Sequence, residues 1–78
     1  MLKVIEYNKE ELTKTELGKE LYKKLIKIYN LDMWALGIMD FLYNDDIKIQ
    51  KLMDLIDSGE TDADKIFIYA DKLERGLI

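Results

Sequence analysis

Between residues 31 and 43 the chain sets nine large apolar or aromatic side chains and Ala35 into thirteen positions, its densest apolar stretch. At about 100° per residue, helical geometry puts Leu31, Ala35, Ile38, Met39 and Leu42 on one arc. Trp34 and Phe41 widen the arc on one flank, and Leu36 and Tyr43 widen it on the other. Only a narrow strip, with Met33, Gly37, Asp40 and Asn44, remains largely polar. A helix that is apolar round most of its circumference must be covered by several neighbours. The pattern therefore predicts a central helix over 31–43 with the remaining elements arranged around it.

Upstream, Leu17, Leu21, Leu25 and Ile28 recur at helical spacing, with Tyr22, Ile26 and Tyr29 beside them, which predicts an amphipathic helix over 14–29. Asn8 with Glu11, and Thr13 with Glu16, both have the spacing of a capping box, and either pair can open it. Gly18 lies on its apolar side, where the missing side chain lets a neighbouring helix come close. Asn30 suits a stop, and both it and Asp32 suit the cap of the central helix. Residues 1–7 alternate too loosely for a strand, so residues 1–12 read as an extended or irregular arm with room for a short first turn. Val4, Ile5 and Tyr7 are the arm's apolar contacts.

Downstream, Asn44, Asp45 and Asp46 close the central helix and open a third over 46–57, striped by Ile49, Leu52, Met53 and Ile56 and stopped at Ser58-Gly59. Thr61, with Asp64 three residues on and Asp62 in the first turn, caps a last helix over 62–75. Its stripe is Ile66, Tyr69, Ala70, Leu73 and Leu77, and Arg75-Gly76 ends it with Leu77 as a hydrophobic clasp. Four helices joined by short polar loops, without proline or internal repeat, predict an all-α, four-helix bundle-like single domain behind an N-terminal arm.

Composition sharpens this picture. A domain of 78 residues buries only about 60% of its unfolded surface and depends on a dense core. The hydrophobic fraction, 49%, is enough for one and argues against a disordered chain. The longest uncharged run, 33–39, falls far short of the roughly 18 residues of a membrane span. The N-terminus also lacks the apolar core and small-residue cleavage site of a secretory signal, so the chain reads as cytoplasmic. With no cysteine there is neither a disulfide framework nor thiol or zinc–thiolate chemistry. Residues 1–30 carry seven lysines against five glutamates, whereas 31–78 carry five basic against eleven acidic side chains. This acidic balance makes nucleic acid a disfavoured partner.

Most chemistries are excluded residue by residue. No histidine is present, which removes the commonest general base and metal ligand, and with it any Ser–His–Asp triad. The single serine, Ser58, lies in a predicted helix stop. Gly18, Gly37, Gly59 and Gly76 are too far apart to form a phosphate-cradling loop. Asp57, Glu60, Asp62 and Asp64 crowd one loop, but no register gives the glycine and terminal glutamate of an EF-hand; helix capping accounts for them better. Asp40, the one charge inside the central helix, reads as a solvent-facing residue of the polar strip. The reading includes no catalytic residue, cofactor or metal.

Interaction surfaces remain. Lys14, Lys19, Lys23, Lys24 and Lys27 give the first long helix a basic face, yet Glu16 and Glu20 stand one turn before three of them and pair with them in a solvated helix. In the last helix Ile68 stands opposite the core stripe, ringed by Asp64, Asp71, Lys72 and Arg75, an apolar centre with a charged rim. Trp34 and Phe41 need cover from the arm or from a second copy of the chain, and the expectation is a homodimer. The candidate surface is thus Trp34, Phe41, Asp64, Ile68, Asp71 and Arg75. The functional expectation is a non-enzymatic protein that binds another protein, of the regulator, immunity-factor or inhibitor type. An inhibitor mimicking nucleic acid through the third and fourth helices is the alternative. A helix-turn-helix-like DNA binder comes next, with the aspartates of its second helix against it.

Overall fold

A computed structural model describes residues 7–78. Among these residues five helices follow one another: α1 (Lys9–Leu12), α2 (Glu16–Tyr29), α3 (Asp32–Leu42), α4 (Asp46–Asp57) and α5 (Ala63–Glu74). No strand occurs among the described residues. None of the described helices is long and apolar enough to cross a membrane. The expected all-α architecture is present, and the short first turn of the arm is α1. Val4 and Ile5 lie outside the described residues.

Packing closes a ring in the order α2, α3, α5, α4, with α1 laid against α3. Leu21 and Leu25 of α2, Ile38, Met39 and Leu42 of α3, Ile49 and Leu52 of α4, and Ile66 and Leu73 of α5 are the large, fully buried side chains. Burial of nine such residues is the main favourable term, at roughly 1.5 to 3 kcal/mol each before the opposing chain entropy. A Cβ on Gly18 would stand 3.5 Å from Met39 Cε and 3.7 Å from Ile49 Cδ1, the expected close approach of α3 and α4 to α2. The Lys24–Asp57 ion pair, 3.0 Å, ties α2 to α4 at the surface.

Caps set the element boundaries, and several differ from the sequence reading. Asn8 caps α1 by accepting from the Glu11 amide at 3.1 Å. The cap of α2 is Thr15, whose hydroxyl accepts from the Gly18 amide at 2.9 Å, and not Thr13. Thr13 is buried, and its hydroxyl is committed to the Lys9 carbonyl at the end of α1. Asn30 ends α2 in the left-handed region, φ 57°, which throws Leu31 into extended backbone as the α3 N-cap. Leu31 thus lies outside the helix and is 55% exposed, where the periodicity had placed it in the core.

Asp45 caps α4 through the Ile47 and Lys48 amides. Asp62, not Thr61, caps α5 through the Asp64 and Lys65 amides, because the extended residue directly before Ala63 is the one whose side chain reaches them. Gly59 and Gly76 take positive φ, and each begins a reversal with amides returned to the preceding turn. The second reversal carries Leu77 away from the core stripe and leaves it 66% exposed, contrary to its expected role.

One long-range device has no counterpart in the sequence reading. Asn44, at φ 59°, donates from Nδ2 to the Glu11 carbonyl at 2.7 Å and accepts on Oδ1 from the Lys14 amide at 3.2 Å. It locks the turn between α3 and α4 to the turn between α1 and α2.

Candidate functional site

The outer flank of α3 and the adjoining edge of α5 form an aromatic seam. Phe67 stands between Trp34 and Phe41, edge-on to both, with ring centroids 6.1 and 5.3 Å away. Tyr29, at the end of α2, stacks on Trp34 at 6.4 Å with an interplanar angle of 11°, and its hydroxyl donates to the Ala63 carbonyl at 2.6 Å. Edge-to-face and offset stacking fix ring orientation beyond what burial alone would do. Trp34 nevertheless remains 47% exposed.

Above the seam lies a hollow of about 200 Å³ lined by Tyr7, Met33, Trp34, Gly37, Phe41 and Phe67. Tyr7 rests on Gly37: a Cβ at residue 37 would stand 3.7 Å from the Tyr7 hydroxyl, in ordinary contact. The strip of α3 expected to face solvent is thus partly covered by Tyr7 of the arm, while Asp40 is exposed as expected.

Of the surface residues singled out by sequence, Trp34 and Phe41 share this seam through Phe67. Asp71 and Arg75 form an exposed ion pair at 3.1 Å. Asp64 stands one helical turn before Phe67; burial first, then Asp64 and Asp62, raises the Tyr29 phenol to about 12. Ile68 is exposed but belongs to a separate shallow hollow with Lys65, Tyr69 and Lys72. Phe67, Tyr29 and Met33 complete the seam and were not among the sequence candidates. Phe67 stands beside the α5 stripe, but nothing local in the sequence marks it as the partner of Trp34 and Phe41.

The other clusters offer less. Asp57 turns to Lys24, and Asp62 turns to the amides of its own helix, so the loop carboxylates diverge. No metal-holding group of three acidic side chains forms among the described residues. A hollow of about 340 Å³ between α1 and α2 mixes Lys9, Lys19 and Lys23 with Glu16 and Glu20. There Lys19 pairs with Glu16 at 3.3 Å, and Lys9 sits 4.8 Å over the Tyr22 ring. Beside it the Tyr22 hydroxyl donates to Asp32 at 2.7 Å; burial first, then this carboxylate, raises the phenol to about 12.

No protein-family model, curated protein or solved structure matches the chain. Its function has to be argued from its own surface.

Proposed function

We propose that this chain is a non-enzymatic interaction protein of the regulator, immunity-factor or inhibitor type, docking another protein on the α3–α5 seam. The observation that carries this reading is the half-exposed Trp34 at the mouth of an ordered aromatic hollow. Buried aromatic anchors of this kind dominate binding energy at protein interfaces, whereas scattered exposed aliphatics do not. The hollow is also smaller than the roughly 300 to 1,000 Å³ of small-molecule sites, which favours an inserted side chain over a substrate. Nucleic-acid mimicry is the weaker alternative, since α4 and α5 interleave Lys48, Lys51, Lys65 and Lys72 with their carboxylates.

Affinity capture from the source cell tests the proposal with three baits: the natural chain, Trp34→Ala with Phe67→Ala, and the remote control Lys51→Ala. A protein held by the first and third and lost by the second supports docking on the seam. A captured set indifferent to the double change refutes it. Retained capture by the double variant that collapses as salt rises points instead to mimicry.

A further inference from the structure

The hollow is apolar, but its surroundings are not neutral. Asp40 follows Gly37 by one turn of α3 and is exposed. On α5, Asp64 precedes Phe67 by one turn, and Asp71 and Glu74 follow it by one and two, so all three share the Phe67 edge. No lysine or arginine occurs anywhere in α3. Arg75, the cation on the α5 edge, pairs with Asp71 and so offsets one of these charges, leaving an excess of carboxylate there, while Lys65 and Lys72 line the separate hollow around Ile68. The seam is therefore an aromatic slot with an anionic rim.

We propose that its occupant is a basic amphipathic helix of a partner protein, with apolar anchors in the Trp34–Phe41–Phe67 slot and lysine or arginine side chains over Asp40, Asp64, Asp71 and Glu74. This inference rests on the docking role proposed above and adds the chemistry of the partner. A helix fits because the slot runs between two helices, with no sheet edge to accept a strand. Trp34 and Phe41 are seven residues apart, about 10 Å along α3, which matches the spacing of anchors at i and i+7 on an incoming helix. A second copy of this chain fits less well. A two-fold pairing would lay the same four carboxylates against themselves. The apolar anchors supply most of the affinity, and the rim supplies the choice of partner.

Trp34 is the only tryptophan, so its emission reports the slot directly in the full chain. The probes are four synthetic helical peptides of about 15 residues without aromatic residues. Three carry leucine on one face and lysine, glutamine or glutamate elsewhere, and the fourth has the leucine–lysine composition scrambled so that no face forms. The leucine–lysine peptide should shift Trp34 emission to the blue and bind about tenfold tighter than the leucine–glutamine peptide. Asp64→Lys with Asp71→Lys should erase that preference while sparing leucine–glutamine binding. Circular dichroism of the double variant verifies its fold.

Equal binding of the lysine, glutamine and glutamate peptides would leave the docking surface standing and overturn the basic partner. Equal binding of the scrambled peptide would reduce the effect to bulk charge and overturn the slot. If no peptide moves Trp34 emission, the docking role itself falls. An emission shift on simple dilution of the protein would name a second copy as the occupant and overturn the inference.

Discussion

The two faces of α3 differ in kind. Toward the ring axis, Ala35, Ile38, Met39 and Leu42 are aliphatic or thioether side chains buried to completion against α2 and α5. Toward the outside, Trp34 and Phe41 meet Phe67 and Tyr29 ring to ring, hold fixed orientations, and still leave half of an indole in water. The inner face satisfies the requirement that a small domain close its core. The outer face packs ring on ring beyond that requirement, and packing without closure is what a preformed docking surface needs.

Truncating each face in turn should separate them. Ile38→Ala should cost about 2 to 5 kcal/mol, enough to unfold much of a domain this small. Trp34→Ala should cost no more than about 2 kcal/mol, since its rings lose stacking but little full burial. Urea midpoints measure both, and equal losses would make the seam part of the core. Next comes Asn44→Ala, which orphans the Glu11 carbonyl and the Lys14 amide and should cost about 1 to 3 kcal/mol. Its urea midpoint should fall by that amount, and an unchanged midpoint would show that the lock carries no stability. Asp62→Ala should cost about 1 kcal/mol by uncapping α5, with Thr61→Ala near zero. The reverse order would restore Thr61 as the cap.

The smallest effect concerns pH. In the folded chain Tyr22 and Tyr29 titrate at about 12, whereas an unperturbed phenol titrates at 10.0. The native state thus holds these protons more tightly. Their contribution to stability is complete below pH 10 and is lost as pH rises through about 12. Tyr29→Phe should flatten that alkaline decline relative to the natural chain, and urea midpoints across this window measure it. An identical decline would show that the Tyr29 proton takes no part.

Why the sequence disclosed some of this and not the rest follows from the range of each signal. Period 3.6 at Leu21, Leu25, Ile49, Leu52, Ile66 and Leu73 reports which side of a helix is buried, and those positions are core. The same periodicity cannot tell where a helix starts or stops, so it extends to Leu31 and Leu77 stripes that the Asn30 and Gly76 turns cut short. Capping spacing offered Thr13 and Thr61, but one turn of chain moved the choice to Thr15 and Asp62. Trp34 and Phe41 were legible as excess apolar width on α3. Phe67 was not, since what makes it part of the site is the α3–α5 adjacency, a tertiary fact. The Asn44 lock spans about thirty residues of sequence and leaves no local mark.

Collisional quenching of Trp34 by acrylamide, in the full chain and across a dilution series with mass followed by light scattering, tests most directly whether the outer face is open. A half-exposed indole should be quenched to the same extent at every concentration, with monomer mass throughout. A shielded indole that becomes accessible as a dimer dissociates would contradict this and hand the seam to a second copy. One shielded at every concentration would contradict this too, placing residues 1–6 or another part of the chain over the face.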